Sequence, residues 1–569
     1  MTRETNSVTE GTSDILIIGG GMAGFFAALR AVEKGQSVTM VDKGTVGRSG
    51  FTPWANTFSV FDESLGDTAE QWINGAQIKG EYLVNLDYFN LQIEDSLARY
   101  QQLEQWKIVE SRPEWEKKGE TSAAKYLAGH DRRLLMPKIL KSAGIKMVQR
   151  VMITDLLKEN NRVVGAMGFH LDSDDTLVFT SKATIICTGA GGYKAPGYPI
   201  HGSTFDGDAM AYRAGASIAG KDFMDFHFTG DINPWDVFAM EEEVFVNRIY
   251  PTKGPTIDGP HIGINPIFKI QQHGPPLGSF LPIEEQSTDE GDPRNKGRSL
   301  MPLLPDGNIV MGAATGLGVH KSEGIWPVDT HCFSGITGLY AAGDALASMI
   351  CGAAYPSTGL GLSGSAVQGY RAGEAAAMFA QQSDRPTVPQ ELLQTVKNRI
   401  YAPLTATKGF NPRWVNQVLL NTMAPYYILL VMKQDRLESA LTHIEYMQQE
   451  IVPRMRAGDN HELRLVHESR NLVLNAEMKL RACLLRTESR GNHYREDYPA
   501  RNDQEWLAWL LIHEDNQGTM TLTKQSVPEA WQGDHTQAYQ QRYPLRFPGE
   551  EAFRSDQGPK GGNCHGCGN

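Results

Sequence analysis

An α/β fold class is predicted for the first part of the chain by three adjoining features. Four apolar residues, Ile15 to Ile18, form a short run of the kind buried in a parallel sheet. Gly19, Gly21 and Gly24 follow at G-x-G-x-x-G spacing, with Ala23, Ala27, Ala28 and Ala31 in a helical pattern. A second strand-like segment, "SVTMV", then ends at Asp42. The glycines act differently: Gly19 makes the tight turn, Gly21 lets a pyrophosphate approach the backbone, and Gly24 lets helix and strand pack closely. The helix N-terminus faces the phosphates, and Asp42 can accept from a ribose hydroxyl. Strand, glycines, helix, second strand and terminal acid together predict a Rossmann-like dinucleotide site, which the glycines alone would not.

Bulk properties bound the rest. With 569 residues the chain exceeds what one hydrophobic core supports, so two or three cooperating domains are expected. The net charge of -12, with acids and bases intermixed, argues against nucleic acid as the main partner and against an anionic membrane surface. No apolar run has the length of a membrane-spanning segment. The opening "MTRETNSVTEGTSD" has no apolar secretory core, so the expected compartment is cytoplasmic. Of six cysteines, Cys187, Cys332, Cys351 and Cys483 lie far apart and only Cys564 and Cys567 form a close pair. Four thiolates at characteristic spacing, the usual requirement of an iron–sulfur cluster, are therefore not expected.

The choice of dinucleotide rests on later segments. "GITGLYAAGDALAS" holds a short apolar strand leading to Gly343-Asp344, the kind of return strand that brings an acid to a ribityl chain. "ATIICTGAGGY" is another apolar strand ending in small residues, Gly189 among them, but no helix and acid-terminated strand follow it. A single dinucleotide site on so long a chain favours a tightly held FAD over NAD(P)H.

Four ordered blocks resemble the flavoprotein subunits of the fumarate reductase/succinate dehydrogenase family, whose relatives include aspartate oxidase and the adenylylsulfate reductase alpha subunit. They are "GRSG" at 47–50, "STFDGDAMAYRAGASIAGKDFMDFHFTG" with His227 in the histidine position, "HKSEGIWPVDTHCFSGITGLYAAGD", and "RTESRGNHYREDYPARND". The resemblance implies a Rossmann-like FAD-binding domain with an inserted α+β capping domain and a C-terminal helical domain. The expected boundaries are 13–230 and 311–381 for the FAD-binding domain, 231–310 for the cap, 387–503 for the helical domain, and 504–569 for a C-terminal extension. The long segment from "QVLLNTM" to "YMQQEI" has apolar residues at helical spacing and reads as bundle core. FAD is expected on Gly19, Gly20, Gly21, Ala23, Gly24, Asp42, Lys43, Ser49, Gly50, Gly189, Asp206, Gly343, Asp344, Gly361 and Leu362. Where some relatives carry a histidine bonded to the flavin, this chain reads Arg48-Ser49-Gly50-Phe51, which implies non-covalent FAD of lower potential.

The segment "CGAAYPSTGLG", Cys351 to Gly361, departs from the family. Fumarate reductases anchor a dicarboxylate with G-E…H-G-A-N-R-L-G; aligned from Gly343-Asp344, Cys351 falls at the histidine and Tyr355 at the arginine. A carboxylate needs charged, preferably bidentate donors, which thiol and phenol do not supply. Succinate, fumarate and aspartate are therefore disfavoured, and a small molecule that is apolar or aromatic, with one or two polar groups, suits Cys351, Ala353, Ala354, Tyr355 and Pro356. The same run is locally similar to the Y-P-G-x-G segment of ketosteroid dehydrogenases.

Candidate catalytic groups implied by the resemblance are Arg298 in "PRNKGRSL", where Ser299 replaces the family's acid, with His227, His320 and Tyr355; Arg294 is a neighbouring candidate. Arg490, His493 and Arg495 read instead as residues that knit domains through buried salt bridges. The tail "GPKGGNCHGCGN" offers a C-x-x-C pair suited to half a metal site or a dithiol, with a flexible tail as the plainer reading. The expected function is an FAD-dependent oxidoreductase that exchanges electrons with a separate iron–sulfur (ferredoxin-like) protein and acts on a non-dicarboxylate substrate. Alternatives are a stand-alone oxidase, a ketosteroid-dehydrogenase-like enone enzyme, an adenylylsulfate-reductase-like alpha subunit or a non-catalytic electron-transfer subunit.

Overall fold

The computed structural model describes residues 8–53, 55, 57–109, 116–117, 123–126, 129–193, 202–229, 280–282, 308–310, 316–355, 359–543 and 547–550. At its centre is a seven-stranded sheet built from β1 (Val8–Ile18), β2 (Val38–Asp42), β3 (Lys146–Gln149), β4 (Val151–Glu159), β5 (Arg162–His170) and β6 (Thr176–Ile186), in the order β3-β2-β1-β6-β5-β4, with one further strand on β6. Strands β3, β2, β1 and β6 run parallel, while β5 and β4 continue the sheet as an antiparallel meander. β1 begins at Val8, earlier than the expected domain start, because its polar first half pairs backbone to backbone with Thr176–Ser181 and needs no apolar side chains to do so.

Alternation along β1 explains how four consecutive apolar residues are all used. Ile15 and Ile17 face a core shared with helix α1 (Met22–Glu33), while Leu16 and Ile18 face Val41, Val151, Ile153 and Phe179 on the other side. A parallel sheet covered on both faces produces such continuous apolar strands.

The chain then leaves through α2 (Asp206–Ala214) and β7 (Met224–Thr229), and returns through β8 (Gly316–Ser322), which pairs antiparallel with β7. Between these two strands the described residues include a short ladder of Phe280–Pro282 with Asn308–Val310. The rest of the expected cap lies outside the described residues, as does the Cys564/Cys567 tail. Strand β9 (Leu339–Ala341) adds to β6 in parallel and leads into α3 (Leu360–Gln381).

Helices α1 and α3 lie backbone against backbone. A Cβ on Gly369 would stand 2.2 Å from the Ala23 carbonyl oxygen, and one on Gly373 would stand 2.4 Å from that of Ala27. The same i, i+4 step on both helices means that they run parallel with their N-termini toward one end of the sheet.

The helical segment packs on the meander. Leu393, Val396, Ile400, Val415, Leu419 and Val466 join Met152, Leu157, Val164 and Phe169 in one core. Its longest element is α4 (Asn460–Leu485), whose N-cap Asp459 accepts from the Glu462 N–H at 2.8 Å. The apolar run through Leu419–Met432 is core, as its periodicity predicts, but it is not one helix. It breaks after Met423, and Val431–Met432 pairs as a short strand with Tyr494–Arg495. The C-terminal hairpin Ala508–Glu514/Met520–Ser526 returns to the first part of the chain by pairing with Ile218–Ala219.

Within this packing His467 is buried against Phe169, its Nε2 3.1 Å from the Ile400 carbonyl. Burial, with Arg470 nearby, pushes its pKa down to about 3. The unfolded chain protonates this ring near the ordinary value of 6.5, whereas the folded chain resists until about 3. Stability is thus complete above pH 6.5, falls as pH drops through the interval, and has lost at most about 5 kcal/mol from this group at its lower end. Thermal unfolding of wild type and His467→Gln between pH 7 and 4 should show a steeper acid loss in wild type; parallel curves would show that the ring titrates alike in both states.

Candidate functional site

The N-terminus of α1 stands at the carboxyl ends of β1, β2 and β6, against the part of α3 around Gly369. Gly19, at φ +110°, makes the turn out of β1, and its N–H donates to the Val41 carbonyl at 2.7 Å. Gly24 is required by contact: a Cβ there would lie 2.1 Å from the Gly19 oxygen. Gly21 is the N-cap of α1 and supplies no side chain to it, while Met22 N–H donates to Thr52 Oγ1 at 2.9 Å. Ala23 lies at the second position of the helix and is buried against Gly343.

Asp42 organises the loops around this turn. Its carboxylate accepts from Gly20 N–H at 2.8 Å, Gly44 N–H at 2.7 Å and the Ser49 hydroxyl at 2.7 Å. A carboxylate offers about four acceptor positions, so capacity remains for one ribose hydroxyl. Ser49 is therefore brought to the site as a support of Asp42.

Lys43 and Asp206, both expected on the cofactor, instead meet each other. Lys43 Nζ lies 2.7 Å from Asp206, 2.7 Å from Glu468 of α4 and 3.0 Å from Thr204 Oγ1. Asp206 also accepts from Thr204 and Asn471. Burial alone would lower the lysine and raise the acid, but their mutual attraction reverses both shifts. The charges of these two side chains clamp β2, α2 and α4 together.

Beside the start of α1, Gly343 has φ +70° and donates its N–H to Gln368 Oε1 at 3.0 Å, with half-buried Asp344 next to it in a short turn. Gly361 and Leu362 are the second and third residues of α3. Gly361 N–H donates to the phenol oxygen of Tyr355. At 1.5 Å per residue, Gly361 stands about 12 Å along the helix from Gly369, which touches Ala23 at the start of α1. The two helix N-termini are therefore offset along one groove.

The loop carrying Tyr355 is fixed from both sides. Ala353 N–H donates to the Gly80 carbonyl at 2.9 Å, and the Ala353 carbonyl accepts from Asn492 N–H at 2.9 Å. Gly491, at φ +51°, permits this approach, since a Cβ would lie 2.3 Å from the Ala353 oxygen. Cys351 and Ala353 are buried and Tyr355 is half-buried; Pro356 lies outside the described residues.

A family model described as FAD binding domain matches residues 14–248, and one described as fumarate reductase flavoprotein C-term matches residues 418–540. The chain belongs to the fumarate reductase/succinate dehydrogenase flavoprotein family. It is similar to one component of the fumarate reductase (CoM/CoB) of Methanothermobacter marburgensis, 25% identical over 88% of this chain and 97% of that protein. The fumarate reductase flavoprotein subunit of Mycobacterium tuberculosis is 26% identical over 90% of this chain and 96% of its own length. In fold it matches a quinol fumarate reductase of E. coli with a TM-score of 0.77 and 18% identity, over 93% of this chain and 98% of that one.

As a member of this family the chain is an FAD-dependent oxidoreductase, and the site's geometry fits the cofactor. Gly21 leaves the start of α1 without a side-chain cap, and Gly50 and Gly189 have left-handed backbones with no atom within 4 Å of a Cβ position.

Other candidates are placed in part. His227 pairs with Gly318 in the β7–β8 ladder, and His320 follows two residues later beside a bulge, so both histidine backbones lie on the strands leading to the cap. Arg298 and Arg294 lie outside the described residues. Arg490, His493 and Arg495 are buried, as expected: Arg490 binds Glu488, Asp503 and the Glu81 carbonyl, and His493 Nδ1 is 3.2 Å from the Asp222 carbonyl.

Sequence reasoning missed a buried pair at the base of β7 and β8. Lys221 Nζ lies 2.5 Å from Asp208 and 2.6 Å from the Glu323 carbonyl, with both side chains inaccessible. Burial, only partly offset by Lys221, pushes the Asp208 carboxyl up to about 6. The signal available was an acid and a lysine in otherwise apolar patterns. Gly491 and Asn492 were also missed as supports of the Tyr355 loop, although they stand within "RTESRGNHYREDYPARND".

Gly24→Val should displace α1 from the turn and release flavin, read as the flavin-to-protein absorbance ratio after gel filtration. Gly202→Ala, where a Cβ meets nothing and the backbone is not left-handed, should retain it. Full flavin retention by Gly24→Val would refute the contact argument.

Proposed function

We propose that this chain is the flavin-bearing component of an oxidoreductase that passes electrons to or from a separate iron–sulfur protein and acts on a small molecule other than a dicarboxylate. The observation that carries this reading is the loop after Gly343-Asp344. From Gly343 to Tyr355 it contains no arginine, lysine or histidine. Its Cys351 is buried, and Tyr355 is held against the first turn of α3. Burying a carboxylate without charged donors costs several kcal/mol, whereas a carbonyl or hydroxyl needs a single well-placed donor such as a phenol O–H. A neutral, partly apolar substrate therefore suits this wall of the site best.

FAD, held non-covalently in this reading, supplies the exchange of a hydride or electron pair when bound. The protein's residues do the remaining work. The helix ends hold the phosphates and ring edge, Tyr355 addresses a polar group, and the histidines on β7 and β8 with Arg298 are the proposed proton-handling groups. Electron delivery by a second protein is supported by the relatives this chain resembles over most of its length, two of which are named as subunits. Among the described residues no helix is long and apolar enough to cross a membrane.

Two measurements test the reading. In a reduced-dye assay the flavin-loaded chain should fail to turn over fumarate, and succinate should leave its flavin spectrum unchanged; turnover of fumarate would overturn the substrate reading. Affinity capture of the tagged chain from its host should bring down a protein with iron–sulfur absorbance. Capture of the flavoprotein alone, with peroxide formed in air, would favour an oxidase instead.

A further inference from the structure

We infer that Lys479 and Cys483 form an oxidative cross-linking site, in which dioxygen joins the lysine Nζ to the cysteine Sγ through one bridging oxygen atom. The two residues stand one turn apart on α4, so their side chains share one face. Both are buried, Lys479 at 1% and Cys483 at 0% exposure. Nζ lies 3.4 Å from Cys483 Sγ and 4.0 Å from Met432 Sδ.

The surroundings of this lysine differ from those of the other enclosed ones. Fully buried Lys221 is matched by Asp208, and half-buried Lys43 by Asp206 and Glu468. Among the described residues Lys479 Nζ meets no oxygen acceptor, only two sulfur atoms. Asp222 Oδ2 accepts from Arg486 at 2.7 Å while its Oδ1 is buried without a hydrogen-bond partner; the Cys483 thiol is directed at the Asp222 carbonyl at 4.0 Å, and Arg495 binds the Cys483 carbonyl at 2.7 Å. A nitrogen nucleophile and a thiol are thus held in contact within a cationic, water-excluded pocket. Burial pushes the Cys483 thiol up, and burial itself bars bulky thiol reagents and a second cysteine. Dioxygen is small and apolar enough to enter.

The stoichiometry closes without any further reagent. After the ammonium has released its extra proton to solvent, amine, thiol and O2 give R–NH–O–S–R′ and one water. One N–H bond, the S–H bond and the O=O bond break, while an N–O bond, an O–S bond and the two O–H bonds of water form. Nitrogen and sulfur give up two electrons each, and the two oxygen atoms take the four. A bridging oxygen spans the gap seen here with less movement of two packed side chains than a direct S–N bond. The product is neutral, so cross-linking removes a buried cation that has no carboxylate.

The test uses the full flavin-loaded chain, purified without oxygen and then exposed to air. Peptide mass spectrometry should find the segment holding both residues heavier by one oxygen and lighter by two hydrogens, resistant to trypsin after Lys479, and restored by dithiothreitol. Cys483→Ser and Lys479→Met should each abolish the change, and two independent variants guard against misfolding of either. An unchanged mass would overturn the inference. So would the same change in Lys479→Met, plain oxygen additions on Cys483, loss of two hydrogens without oxygen, or a gain that dithiothreitol does not reverse.

Discussion

The contact between the backbones of α1 and α3 is the constraint on which the rest of the site depends. With Gly369 and Gly373 facing Ala23 and Ala27, the two helices approach as closely as main chains allow, and their parallel course fixes the offset between their N-termini. One N-terminus sits over the turn at Gly19, the other beside Tyr355. An anion and an electron-rich ring edge both gain from such positive helix ends. Any side chain at these glycines would widen the groove and separate the two ends of a bound cofactor from the groups that hold them.

Charge is then used to tie sequence-distant pieces around that groove. Lys43, Asp206 and Glu468 join three elements, while Arg486 and Arg501 join the block 486–503 to Asp222, Glu81 and Glu550. Removing one partner of such a buried pair costs roughly 3–5 kcal/mol, because the other charge is left in a poor solvent. The arrangement specifies which surfaces meet, something that non-directional apolar packing does less well.

Much of this was legible in the sequence, though unevenly. The first strand, the glycine turn, the first helix and Asp42 were readable because local period and spacing encode them. The placement of Arg490, His493 and Arg495 as buried ties followed from charged residues in a dense block. The ties of Lys43 and Asp206 to Glu468 and Asn471 were not legible, because those partners lie more than 250 residues away and no local pattern announces them. The break of the helical run at Val431–Met432 was hidden for a similar reason: its partner strand is Tyr494–Arg495. The support of Ala353 by Gly491 and Asn492 likewise exists only once both segments are folded.

The two hydrogen bonds that pin Ala353, one to Gly80 and one from Asn492, also set an order of events during synthesis. The loop that lines the groove emerges from the ribosome well before the segment that fixes its outer side. Residues 486–503 must leave the exit tunnel before Tyr355 can settle against α3. A chain that stops short of Gly491 therefore lacks both the close glycine approach and the Asn492 N–H that hold Ala353 from its outer side.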